Sequence, residues 1–279
     1  MNAPEGEVKF VPKQALSPTP QLYDELVSDS MENLARASIG FVSIADGSVI
    51  NDNGCGTGAA SAAIVSSIAD KSIQKITIKG TDVNEGALQI YRHNAADGAW
   101  PAEATNMDSG ALAYDDGTFD TAIGNALLFV LPDDGVGAVK EMYRTLKTGG
   151  KAILNSWAYV PNMPVLEAAA KATRPPETPL PRAGMEKWSQ SEFLRSVVEK
   201  GGFRKDGIAV HTVDVYVTTA ELDRYANMLW SFIGGTTAVG WLESDEEKWD
   251  EAIDVIKQEL KKTDGYKELP GGRSAQVRS

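Results

Sequence analysis

Between Val49 and Gly58 a short run, Val49-Ile50-Asn51-Asp52-Asn53, breaks into Gly54-Cys55-Gly56-Thr57-Gly58. Alternating glycines permit a tight turn with positive φ and let a ligand press against bare backbone. Gly54, Gly56 and Ala59 also satisfy the G-x-G-x-x-G/A dinucleotide pattern, so nicotinamide or flavin binding is a second reading of the same loop. A further acid, Asp82, ends the next apolar run, 24 residues after Gly58. A carboxylate at that place accepts the two hydroxyls of a ribose in either kind of site. The loop and the acid together therefore indicate an adenosine-containing cofactor without choosing between classes.

Other reactive side chains are few. His93 and His211 are the only histidines and Cys55 the only cysteine, which leaves no ligand set for zinc and leads us to expect no metal. His93 falls on a helix and reads as surface. His211 lies in an apolar run, Ala209-Val210-His211-Thr212-Val213, where a structural histidine is the plainer reading; it is the one residue to nominate as a general base. Cys55 reads as a small packed residue rather than a nucleophile. Trp100, Trp157 and Trp188 are candidate pocket walls, Trp157 foremost because it lies at the C-terminal end of the fifth strand, at the edge where open α/β sheets bind ligands.

The elements that must carry these residues alternate. Strands are expected at 48–53, 75–81, 102–106, 121–125 and 151–158, with helices at about 59–69, 84–96 and from Pro132 to Leu146. Such alternation implies parallel pairing and a doubly wound α/β sheet. Before it, residues 1–20 carry four prolines and read as a flexible arm, and residues 21–45 as two cap helices meeting near Ser28-Asp29-Ser30. Six prolines in 159–186 mark an insertion, read as a lid around a short helix at 165–172. The alternation resumes with a helix at 191–200 and strand material between Ile208 and Val217, so that the core spans 46–218. Helices at 219–233 and 244–262, the second opened by a capping pattern at Ser244, are expected to pack on the core within 219–263, leaving 264–279 as a tail. The stripe Trp249, Ile253, Ile256 and Leu260 is packing.

Composition limits the partners. The formal net charge of −12 opposes binding to nucleic acid or anionic lipid, and no apolar run approaches the roughly 18 residues of a membrane span. A single cysteine and no secretory leader lead to a cytoplasmic expectation, with a small-molecule acceptor as partner and a monomer or weak dimer as the assembly.

In order along the chain, Asp52-Asn53-Gly54-Cys55-Gly56-Thr57-Gly58, Asp82, Asn106-Met107-Asp108, Phe119–Asn125 and Arg144-Thr145-Leu146-Lys147-Thr148-Gly149-Gly150 resemble the successive motifs of the class I S-adenosylmethionine-dependent methyltransferases, particularly their small-molecule branch. Asn53 replaces the apolar residue usual in the first motif and Thr148 the proline usual in the last. The resemblance covers roughly residues 48–158. It implies the seven-stranded, mostly parallel, Rossmann-like methyltransferase fold and S-adenosylmethionine as cofactor, held by Asp52, Gly54, Cys55, Gly56, Asp82, Val83, Met107, Asp108 and Asn125. Asp82 would take the ribose, Asp108 the adenine amino group and Met107 the ring edge. Tyr23, on the N-terminal helices, would close over the methionine part, and Trp157 and Tyr159 would line the acceptor site. A non-catalytic regulatory protein on this fold would be expected to lack the three acids, which are all present.

The acceptor is only partly legible. The motif that amide- and amine-methylating enzymes place after the fourth strand is absent; the chain has Gly124-Asn125-Ala126-Leu127 there. Secondary-metabolite, quinone and sterol methyltransferases share this layout, which implies a small hydrophobic acceptor. A thiol, with an ordinary pKa of about 8.5, needs less help from a base than a phenol near 10, so S-methylation is placed slightly ahead of O-methylation.

Overall fold

The computed structural model describes residues 9–68, 75–269 and 274–278. They form two compact units, one of residues 29–159 and 186–216, the other of residues up to 28, 160–185 and 217–278.

The first unit is built on five parallel strands: β1 (Val49–Asn53), β2 (Thr77–Asp82), β3 (Ala102–Asn106), β4 (Phe119–Gly124) and β5 (Leu146–Leu154), in the order β3-β2-β1-β4-β5. Ile50, Ile78, Ile123 and Ile153, one from each of four strands, meet in a core closed by Ala60, Ala63 and Ile64 of helix Ala59–Ser67 and by Ala35 and Ile39 of helix Ser30–Ile39. The small alanines let these two helices pack closely together. On β2, Gly80 is required by its neighbours: a Cβ there would stand 3.0 Å from Tyr91 and 3.1 Å from Cys55 Sγ. Tyr91 belongs to helix Glu85–Asp97, whose Ala87, Leu88, Tyr91 and Ala95 form its buried stripe, and Asn84 caps its start by accepting from the Ala87 N–H. The strand order reverses between β1 and its two neighbours, β2 and β4, which puts the crevice for a ligand at the carboxyl end of β1.

The Rossmann-like architecture is the expected one, but the sheet has five strands among the described residues, not seven. The expected strand at 208–217 is the reason for part of the shortfall. Residues 208–215 have no regular structure, and the strand begins only at Tyr216 as β6 (Tyr216–Glu221). It joins β8 (Ser274–Arg278) and β7 (Lys267–Glu268) in a separate sheet ordered β6-β8-β7, with β7 and β8 antiparallel. The segment expected as a tail thus supplies two strands. The apolar-rich run at 208–217 marks β propensity but does not say which sheet will take the strand.

The fifth strand also starts earlier than expected, at Leu146, because Leu146 already pairs with Phe119 of β4 ahead of an irregularity, after which the register resumes at Lys151 opposite Thr121. Arg144, just before it, ties down the preceding loop: its guanidinium donates to the carbonyls of Leu112 and Tyr114 and pairs with Glu141 and Asp116.

The second unit is mainly helical, with helices Pro20–Val27, Asn162–Thr173, Leu222–Leu229, Glu243–Glu247 and Trp249–Leu260. Thr19 caps the first, whose proline at the opening turn has no N–H to satisfy. The stripe Trp249, Ile253, Ile256 and Leu260 is buried with Leu166, Ala169, Tyr225 and Leu229. Within this unit Arg174 and Asp245 form a fully buried, two-bonded ion pair, with the guanidinium against Trp230 and Trp241. Asp245 also accepts from the Leu242 N–H. The cap expected at Ser244 therefore falls to Asp245, and the helix breaks at Lys248 instead of running through.

Candidate cofactor site

β1 delivers the chain into a loop in which Gly54, Gly56 and Gly58 all have positive φ, at 70°, 52° and 103°. Two amides anchor it: the Gly54 and Cys55 N–H groups both donate to the Thr81 carbonyl, at 2.8 and 2.9 Å. A third, from Gly56, reaches Asp82 Oδ2 at 2.9 Å, while Asp82 Oδ1 accepts from the Asn84 N–H at 2.8 Å. Where a Cβ on Gly56 would stand, no atom lies within 4 Å. The loop is thus open above Gly56 and closed elsewhere, since a Cβ on Gly54 would collide with Leu127 and one on Gly58 with Trp100.

Asp82 is half-buried and uses one acceptor position of each oxygen on the loop. A carboxylate has about four such positions, so both oxygens can still accept hydroxyls. In β3, paired in register, Asn106 stands beside Asp82 and its amide donates to the Val83 carbonyl. Met107 donates its N–H to the Asp82 carbonyl, and Asp108 Oδ1 accepts from the Gly110 N–H with the side chain exposed. Val83 is 65% exposed. Two acceptors on adjacent strand ends, two apolar side chains beside them and an open glycine cradle fit an adenosine.

Asp52 sits deeper than the other residues that the resemblance assigns to the cofactor. It is 1% exposed and lies beneath the loop. Its Oδ2 accepts from the Ser61 N–H at 3.1 Å and from Ser61 Oγ at 2.7 Å, and Oδ1 is buried with no hydrogen-bond partner. Because Ser61 spends its single hydroxyl proton on the carboxylate, the Tyr91 hydroxyl 2.7 Å away must donate to Ser61. Burial pushes the Asp52 carboxyl up to about 6, against the lowering effect of the two bonds from Ser61 and with a small further rise from Asp82. Cys55 is buried against Gly80, and the same desolvation pushes its thiol well above the usual range, as suits a packed residue and not a nucleophile.

Asn125 is half-buried, and its amide is engaged at both ends, Nδ2 on the Met31 carbonyl and Oδ1 on Asn155. Trp157 is half-buried beyond β5 and Tyr159 is exposed. Tyr23 belongs to the helical unit, where its ring meets Phe232 edge-on. Trp100 lies under the loop against Tyr91, and Trp188 is buried against Phe129 and Phe193, so both are packing residues. His211 is not in a strand: it is exposed in the irregular stretch before β6, its ring stacked on Phe41 at 3.9 Å. The structure thus gathers Gly54, Cys55, Gly56, Asp82, Val83, Met107 and Asp108 around neighbouring strand ends, with Asp52 below them. Ser61, Tyr91, Leu127 and Asn155 are further contributors that motif reading passes over. Ser61 stands between Ala59-Ala60 and Ala62-Ala63, a sequence signal that could have found it.

A methyltransferase-domain family profile matches residues 50–150, the stretch that contains the loop, Asp82 and Asp108. That stretch of the chain is similar to a methyltransferase domain. The methyltransferase ktnA of Aspergillus niger is 23% identical over 198 residues, which are 62% of this chain and 65% of that one. The chain therefore spans slightly under two thirds of the length of that curated relative. Among solved structures, the Bacillus subtilis YcgJ protein is similar with a TM-score of 0.51 at 15% identity, over 88% of this chain and 93% of that one. A Bacillus halodurans protein gives 0.53 at 17%, over 88% and 94%. At these identities the two structures bear on the fold alone. No helix among the described residues is long and apolar enough to cross a membrane, and no group of three or more metal-ligating side chains is present among them.

Proposed function

We propose that this chain transfers a methyl group from S-adenosylmethionine to a small hydrophobic acceptor, a thiol slightly ahead of a phenol. The observation that carries the reading is the open cradle at Gly56 beside Asp82, with Asp108 exposed on the next strand end. When bound, the cofactor supplies an electrophilic methyl on a sulfonium, and the reaction needs the acceptor in line with it and water excluded. Asp82 accepts the ribose hydroxyls, Asp108 the adenine amino group, and Val83 and Met107 flank the ring. Asp52, Ser61 and Tyr91 hold the loop from below.

The thiol preference rests on the proton. His211 stacks on Phe41 in an irregular segment, which offers no strand-end position for a base. An acceptor already partly ionised near neutral pH needs orientation more than proton abstraction. The test is product mass spectrometry with S-adenosylmethionine and panels of hydrophobic thiols and phenols across pH 6 to 9, on the wild type and His211→Ala. Methylated thiols formed equally by both proteins support the reading. Turnover of phenols alone, lost in His211→Ala by about a hundredfold, would make His211 the base and overturn the thiol preference.

A further inference from the structure

At the end of β4, Ala126 adopts φ +52°, a left-handed conformation that costs an alanine energy and persists only where the surroundings over-determine it. Asn155, at the end of β5 and 8% exposed, supplies that determination. Its Oδ1 accepts the Ala126 N–H at 2.7 Å, and its Nδ2 donates to Asn125 Oδ1 at 2.8 Å and to Ser38 Oγ at 2.9 Å. Ser38 in turn gives its own proton to the Leu34 carbonyl, and the Asn125 amide reaches the Met31 carbonyl, so one side chain joins β4, β5 and helix Ser30–Ile39. The residue after Ala126 is Leu127, whose buried side chain closes the space beside Gly54.

We propose that Asn155 is a positioning residue for the cofactor site, holding Ala126 left-handed and thereby setting Leu127 against Gly54. The inference rests on the cofactor reading above only for its consequence on binding; the mechanical link to Gly54 stands by itself. Removing the amide lets Ala126 leave the left-handed region, withdraws Leu127 and loosens the first glycine of the loop. A glycine at 126 has no such preference to leave, so the effect of losing Asn155 shrinks when Ala126 is replaced.

The experiment uses the full chain as wild type, Asn155→Ala, Ala126→Gly and the double variant. Amide hydrogen exchange is followed at Gly54, which donates to Thr81, with Ile78 of β2, which donates to Pro101, as the reference for the fold. S-adenosylhomocysteine binding is measured by calorimetry on the same samples. Asn155→Ala is expected to speed Gly54 exchange about tenfold or more with Ile78 within about twofold, and to weaken the ligand about fivefold or more. In the Ala126→Gly background, adding Asn155→Ala should change either readout by less than about threefold. Unchanged Gly54 exchange, equal acceleration at Ile78, or the same loss in both backgrounds would overturn the proposal. Should the wild type bind no S-adenosylhomocysteine, the cofactor reading falls while Gly54 exchange still decides the role of Asn155. Asn155→Ser gives the same comparison if the alanine variant does not fold.

Discussion

Ser61 Oγ lies 2.7 Å from Asp52 Oδ2, and the same serine donates its backbone N–H to that oxygen. Ser61→Ala removes the shorter bond and leaves the Tyr91 hydroxyl facing a methyl group in the core. We expect a loss of about 2–3 kcal/mol at pH 7.5, against about 1 kcal/mol for Tyr91→Phe. Urea unfolding of both variants checks the order; equal costs would mean that Tyr91 matters as much as the serine.

Asp52 should also tilt the pH dependence of stability. Its folded pKa is raised to about 6 from 3.8 by burial. The folded chain keeps the proton where the unfolded chain has released it, so stability falls as pH rises from about 4 to about 6, by roughly 1.4 kcal/mol per unit of difference, and stays low above that window. Asp52→Asn should flatten this slope and be the more stable protein at pH 7.5 by about 1–3 kcal/mol. Unfolding free energies at pH 4.5 and 7.5 test it, and a variant less stable than wild type at the higher pH would contradict the sign.

Asp82 serves both loop and ligand. Asp82→Ala gives up the bonds to the Gly56 and Asn84 amides as well as the ribose hydroxyls, and should weaken S-adenosylmethionine at least about tenfold, or about 1.4 kcal/mol. Asp108→Ala should cost less, because one bond to an adenine amino group is at stake. Calorimetry giving unchanged affinity for Asp82→Ala would remove the ribose assignment.

In the helical unit, the buried pair of Arg174 and Asp245 predicts a strong asymmetry. Arg174→Met leaves a carboxylate without its partner in the core, at a cost of about 3–5 kcal/mol. Adding Asp245→Asn, which can still accept from the Leu242 N–H, should recover more than about half of that loss. Thermal unfolding of the single and double variants measures it, and additive losses would argue against the pair.

The primary structure by itself determined the part of the site that is local. Gly54, Gly56 and Gly58 announce positive φ because side chains are disfavoured there, and Asp82 and Asp108 are legible because the first ends a strand and the second follows one by two residues. Tertiary structure alone decided what those residues touch. Asp52 stands in the glycine motif, and its partners under the loop are Ser61, nine residues on, and through it Tyr91, thirty residues beyond that. Asn155 carries no motif, and its role arises only when parallel pairing sets the end of β5 beside the end of β4. The apolar-rich segment at 208–217 has strand propensity that no local rule could assign to a sheet, because the choice depends on which open edge the rest of the chain presents.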